Sequence, residues 1–315
     1  MEISVEAPEI RLGFGQQVTS CHADGSALIC GLAVPVLSGA AEEVLLSRGD
    51  EARIVRSGAF HALKTADGEI VGGFAALPCA GSAEPVAHRL YSDLLALIGD
   101  QSLYRIWNFV PEINAEVAGR EQYQSFNMGR CRAFRERYGE SAMECRLPAA
   151  SAVGIGEPVL AIAFLAGRGE VSFFENPRQI PAYRYPEQYG PCSPSFVRGA
   201  VVTGADGRRV GYLSGTASIC GHATVGVGDL GTQLETTMEN IRAILERMDF
   251  ASALEPDSSI DSFYRVYLRH AEDLEAVRRR FSEIVGPGPA ERTVFLQAPI
   301  CRSALLLEIE GIFGE

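Results

Sequence analysis

The chain has 315 residues, 47% hydrophobic and 22% charged, the balance of a globular protein with room for two domains or one large one. Its formal charge is −12, and no Lys/Arg cluster interrupts that balance, which argues against a nucleic-acid-binding face. No run of about 18 apolar residues, no basic start followed by an apolar stretch and no C-x-x-C pair among the eight cysteines argue against a membrane span, a secretory signal and a zinc site, so a cytoplasmic protein with reduced thiols is expected.

Residues 1–80 carry no recognisable motif. Beyond them the pattern predicts a helix over 85–98, a strand over 103–110, a helix over 121–138 and one or two strands within 153–165. The segment Asn176 to Pro194 holds five prolines, which rule out a regular helix or central strand and mark a long ordered loop. Strands are expected over 197–203 and 209–219, joined at Ala205-Asp206-Gly207. Leu230, Leu234, Met238, Ile241, Leu245 and Met248 recur at helical spacing, with Asp229 where an N-cap belongs. A strand over 263–268, a helix over 271–284, a turn at Gly286-Pro287-Gly288-Pro289 and strands over 293–296 and 303–309 complete the series. Helix, strand, helix, strand thus occurs twice, which predicts two related α/β halves, 1–150 and 151–315.

Gly226-Val-Gly-Asp-Leu-Gly231 matches G-x-G-x-x-G ahead of a helix. A dinucleotide site needs the first glycine directly after a strand and an acidic residue about 20 residues on. Cys220 to Val225 intervene here, and the next strand starts near Phe263, so loop-shaping glycines and a capping Asp229 are expected instead.

Several residues stand out chemically. The helix over 121–138 sets Tyr123, Phe126, Arg130, Phe134 and Tyr138 on one face. Arg130 therefore lies in an apolar stripe, where an arginine needs a partner. Two roles fit: an internal ion pair with a core Asp or Glu, or a fork closed on a substrate carboxylate. In the last strand, alternation puts Ala304, Leu306 and Glu308 on one face. Burial there raises a carboxyl pKa and suits a general acid; pairing with a buried arginine is the other role for Glu308. Cys301 falls on the opposite face or precedes the strand. Tyr183, Tyr185 and Arg198, on or beside the proline-rich segment, suit an oxygen-rich anion or simple loop packing. His222 is expected to brace a loop.

Five ordered segments resemble the chorismatase family. They are Leu103-Tyr-Arg-Ile-Trp-Asn-Phe-Val-Pro-Glu-Ile-Asn114, Tyr123-Gln-Ser-Phe-Asn-Met-Gly-Arg130, Tyr183 through Arg198, Ser214-Gly-Thr-Ala-Ser-Ile-Cys-Gly-His222, and Cys301 through Glu310. The stretch from Gly228 to Leu245, followed by Tyr264 to Arg269, is similar to the Rid (YjgF-like) imine deaminase unit. These resemblances imply an α/β (α+β) fold of two Rid-like halves, with mixed sheets and helices packed on one face of each. They imply action on chorismate without cofactor or metal, releasing pyruvate and a hydroxybenzoate. Glu308 then matches the residue that protonates the enolpyruvyl methylene. Arg130 and Arg198 meet the two carboxylates, with Tyr123, Tyr183 and Tyr185 nearby. Gly215 and Cys301 are the marks of the 3-hydroxybenzoate type. Phe109 stands where tyrosine is common and Cys192 where arginine often stands. The alternatives are a hydrolytic chorismatase, which yields a dihydroxycyclohexadiene carboxylate, and a Rid-type deaminase or metabolite-binding protein using Arg292.

Overall fold

The computed structural model describes residues 7–47, 52–255 and 258–315. The first sheet unit runs β1 (Ala52–Ser57), β2 (Phe60–Thr65), β3 (Ile70–Pro78), α1 (Ala83–Ile98), β4 (Ser102–Pro111), α2 (Gln122–Tyr138), β5 (Ala149–Ile155) and β6 (Val159–Gly167). The second runs β7 (Glu170–Phe174), β8 (Gly199–Thr203), β9 (Arg209–Thr216), α3 (Leu230–Met248), β10 (Asp261–Leu268), α4 (Leu274–Val285), β11 (Val294–Gln297) and β12 (Leu307–Gly314). The sheet orders are β5-β4-β6-β3-β2-β1 and β11-β10-β12-β9-β8-β7, so element for element the two units share one topology. In each, one parallel pair (β4/β5, β10/β11) is joined through a helix, because parallel neighbours need a crossover. The remaining neighbours are antiparallel. The change of sheet falls between Gly167 and Glu170.

The fold is α+β with mixed sheets, each carrying its helices on one face. Along β6, Leu160, Ile162 and Phe164 face the core under α1 and α2, while Ala161, Ala163 and Leu165 face a central core. A strand covered on both faces reads as a continuous apolar run. Leu307, Ile309 and Phe313 of β12 face α3 and α4 in a third core. The N-terminal residues 9–47 add a four-stranded sheet and a short strand, Val36–Ser38, beside β11. Leu12, Phe14 and Leu28 of this region fill the central core. No helix among the described residues is long and apolar enough to cross a membrane.

Helix α3 covers the expected span, and Asp229 accepts from the Thr232 amide at 3.1 Å. Two expectations need correcting. Gly286-Pro-Gly-Pro289 is more than a turn: Gly286, at φ +82°, ends α4, and Pro287 opens a short helix over Pro287–Arg292, where a missing N–H costs nothing. The last strand starts at Leu307 rather than 303. Arg269 holds the carbonyls of Leu305 and Arg302 at 2.7 and 2.9 Å, which folds 301–306 into a turn. Ala304 and Leu306 therefore do not share a strand face with Glu308; Glu310 and Ile312 do.

Glu310 joins the two sheets. Arg105 and Trp107 of β4 donate to it at 2.6 and 2.9 Å, and Ser151 of β5 donates as well. From its own sheet, Arg265 forms an ion pair and Tyr267 donates at 3.1 Å. Arg265 also pairs with Glu43 of the N-terminal sheet. All of these groups but Glu43 are essentially solvent-free. Burial works against ionisation of Glu310, but Arg265, Arg105 and Ser151 outweigh it and hold the carboxyl below its ordinary range. Truncating one partner of such a cluster leaves buried charge uncompensated. Glu310→Ala is therefore expected to cost about 3–5 kcal/mol, read as a fall in the urea midpoint; an unchanged midpoint would remove the cluster from the stability of the fold.

Candidate active site

A cavity of about 200 Å³ lies where the two units meet. Glu121 at the N-cap of α2, Tyr123 and Gln124 of its first turn and Arg130 from its middle line it, and β5 contributes Ser151. The proline-rich loop supplies Tyr185, Gln188 and Tyr189, followed by Phe196 and Arg198. Gly215 comes from the end of β9, Cys301 and Arg302 from the turn before β12, and Glu308 from β12 itself. Tyr183 is not part of the lining. The 3-10 turn Ala182–Arg184 sets it against the first core, under the Arg184 guanidinium.

Glu308 is 3% exposed, and its Oε1 has no hydrogen-bond partner. Burial, reinforced by the negative charge of Glu310, pushes its carboxyl up to about 8, while Arg105 and Arg198 pull the other way. The group is thus a protonated acid at neutral pH. A buried arginine does have a carboxylate partner on β12, but it is Glu310. The close packing of Glu308 requires Gly215: a Cβ there would fall 2.0 Å from Glu308 Oε1. Cys301 is pushed up to about 12, first by burial and then by Glu308, so it presents a neutral thiol and not a nucleophilic thiolate.

The arginines have neutral partners. Arg130 donates from Nη2 to Asn127 Oδ1 at 2.7 Å and lies 4.9 Å over the Phe126 ring. Arg198 donates to the Tyr185 hydroxyl at 2.7 Å and lies 5.0 Å over Phe196. The Nε of each is buried and unpaired. Among the described residues neither has a carboxylate within ion-pair distance. Helix α2 approaches α1 so closely that a Cβ at Gly129 would lie 2.1 Å from the Glu84 carbonyl oxygen. That contact fixes the depth at which the neighbouring Arg130 sits.

Comparison with known proteins bears on this arrangement. The family model described as chorismatase FkbO/Hyg5-like, N-terminal, matches residues 49–166. A 3-hydroxybenzoate synthase of Streptomyces hygroscopicus is 36% identical over 74% of this chain and 72% of its own length. A chorismatase of Streptomyces rapamycinicus is 37% identical over 70% of this chain, which spans 66% of that protein. A crystal structure of a chorismatase superposes with a TM-score of 0.83 at 26% identity, covering 99% of this chain and 95% of the other. The chain belongs to the chorismatase family.

In this chorismatase the cavity also has walls that the sequence motifs alone did not single out. Arg302 is the main one. Its guanidinium lies 4.0 Å from the Tyr189 ring centroid and donates to the His222 carbonyl at 2.8 Å. Tyr189 donates to the same carbonyl at 2.7 Å, so His222 braces the loop. Ser151, which donates to Glu310, lines the cavity beside Glu308. The usable signal for Arg302 was its place beside Cys301 within a motif. Arg292 lies elsewhere, donating at 3.1 Å to Asp261 and to the Ser262 carbonyl.

Two carboxyl groups (Glu121 and Glu308), three arginines and four aromatic rings line one small cavity, a lining that suits an anionic ligand held beside a raised carboxyl group. The Gly215 contact makes that arrangement testable. Gly215→Ala is expected to fold, with an unchanged melting temperature within a few degrees, but to displace the Glu308 carboxyl. Turnover should drop and the alkaline limb of the pH–rate profile should move. An unaltered profile would mean that the carboxyl does not rest against Gly215.

Proposed function

We propose that this chorismatase removes pyruvate from chorismate and leaves 3-hydroxybenzoate, with Glu308 as general acid. The observation that carries this reading is the buried Glu308 carboxyl, its Oε1 without a hydrogen-bond partner and its pKa raised to about 8, lining one cavity with Arg130, Arg198 and Arg302. Chorismate has a carboxylate on its ring and another on its enolpyruvyl group, and guanidinium forks match both. Glu308 gives its proton to the enolpyruvyl methylene, making an oxocarbenium-like centre. The C4 hydroxyl oxygen then displaces pyruvate from C3, and pyruvate departs with the C3 oxygen. The C4 hydroxyl proton passes to the Glu308 carboxylate, the C4–O bond of the resulting oxide breaks, and loss of the C3–H proton, with protonation of the oxygen left on C3, makes the ring aromatic. Substrate equals the sum of the two products, so no water is consumed. Water must therefore be kept from the cationic centre, a role we assign to Tyr185, Tyr189, Phe196 and the neutral Cys301 thiol. Gly215 and Cys301 support the 3-hydroxybenzoate outcome over hydrolysis.

The test is to incubate chelator-treated protein with chorismate and resolve the products. Pyruvate with 3-hydroxybenzoate is expected. Pyruvate with a non-aromatic diol would keep the acid and overturn the assignment of Gly215 and Cys301. No pyruvate would overturn the reading and leave a Rid-type deaminase or binding protein.

Two further outcomes follow from the acid role. Glu308→Gln should lose at least ~10²-fold in turnover. It should not lose stability at neutral pH: a carboxyl raised in the folded state binds more protons than the unfolded chain does, so its contribution falls as pH rises from its ordinary value toward about 8. Because the acid works protonated, kcat/KM should fall as pH rises through about 8. Bound substrate carboxylates neutralise the arginines, so the same limb in kcat should lie higher. An alkaline limb that persists unchanged in the residual activity of Glu308→Gln would assign the titration to another group.

A further inference from the structure

The polar groups behind Arg130 are neutral, and this is costly. A buried arginine is almost always paired with an anion, yet Arg130 has Asn127 Oδ1 at 2.7 Å and the Tyr91 hydroxyl as its polar neighbours. Tyr91 is itself held in place: it donates to Asn108 Oδ1 at 2.7 Å, and Asn108 Nδ2 donates to the Ser151 carbonyl at 2.8 Å. A chain of uncharged groups from α1, β4 and β5 thus reaches the guanidinium from behind.

Asn127 is fully buried and lies outside the cavity lining. It sits three residues before Arg130 and four after Tyr123, one helical turn from each, and both of those residues line the cavity. A guanidinium only donates, so Asn127 must turn its oxygen to Arg130. Its Nδ2 is then left buried with no acceptor at ordinary hydrogen-bond geometry, the Tyr123 hydroxyl being a neighbouring polar group. An aspartate has the same shape and would both remove that unpaired donor and neutralise the arginine. The amide is the worse choice for stability and the better one for keeping a positive charge free.

We infer that Asn127 is a positioning residue that aims the Arg130 fork into the cavity through a neutral acceptor, so that the full charge of Arg130 remains for a substrate carboxylate. The inference rests on the reading of Arg130 as a carboxylate clamp.

Asn127→Asp is the deciding variant, measured beside Arg130→Lys for KM, kcat and melting temperature with chorismate. The aspartate supplies an internal counter-ion at the same distance. KM should rise at least about tenfold, the equivalent of about 1.4 kcal/mol of lost binding, with kcat within about threefold, the pattern of lost uniform binding. The melting temperature should stay level or rise. A purely structural Asn127 predicts the opposite, unchanged KM. If Asn127→Asp leaves KM unchanged while Arg130→Lys raises it, the role of Asn127 is overturned and the clamp stands. If neither variant moves KM, the clamp itself falls. Should the aspartate lower the melting temperature by many degrees, Asn127→Ser decides. That side chain is neutral but too short to hold the fork, so KM should still rise, and a wild-type KM would overturn the inference.

Discussion

The Glu310 carboxylate is the point at which both sheets and the N-terminal sheet are tied together. Oε1 takes Arg265, Trp107 and Tyr267, and Oε2 takes Arg105 and Ser151. Apolar contact between two sheets is non-directional and tolerates sliding. Charge-assisted hydrogen bonds to one carboxylate are directional. With donors from β4, β5 and β10 converging on β12, one relative placement of the two units satisfies all of them. The cavity lies between those units, so its shape inherits that constraint.

The same bonds set a proton. Glu308 and Glu310 leave β12 on one face, two residues apart, yet their environments drive them in opposite directions. Five donors hold Glu310 ionised, whereas Glu308 Oε1 has none. The fixed negative charge of Glu310 then adds to burial in keeping Glu308 protonated. Paired carboxyls whose environments separate their pKa values are the usual basis for assigning acid and base roles. Here the structural member of the pair tunes the member that faces the cavity.

An acidic protein that holds a dianion needs positive charge placed locally. The net charge of −12 acts weakly beyond about 8 Å at physiological salt, and the near field inside the cavity comes from Arg130, Arg198 and Arg302. Their nearest partners are an amide, a phenol, backbone carbonyls and aromatic faces. These partners carry no charge of their own; the carboxyl groups that act on the arginines are Glu121 on Arg302, and Glu175 and Glu308 on Arg198, and burial pushes all three toward the protonated form. The cost of burying those charges is met by the fold, and the Glu310 cluster is part of what meets it.

The elements governed by local periodicity were legible in the sequence. Helix α3 with its Asp229 cap, the β8–β9 hairpin and the two strand–helix–strand crossovers depend on neighbours three, four or two residues away. So did one anomaly, Arg130, a charged group in an apolar helical stripe; Glu308 is buried as expected, but not through the alternation with Ala304 and Leu306, which the turn before β12 breaks. Their partners were not legible. Arg105 and Trp107 lie 205 and 203 residues from Glu310, and no local pattern records such a meeting. Tyr183 and Tyr185 look alike on the proline-rich segment, and only the path of the 3-10 turn sends one to the core and the other to the cavity. The late start of β12 was hidden for the same reason, since it depends on Arg269 capturing carbonyls more than 30 residues away. By itself the sequence determined which segments are helices and strands and which residues are chemically out of place, because those properties are set within a few residues along the chain. The tertiary structure alone decided which carboxylate is paired and which is left as an acid, because that choice requires groups some 200 residues apart to converge on one oxygen pair.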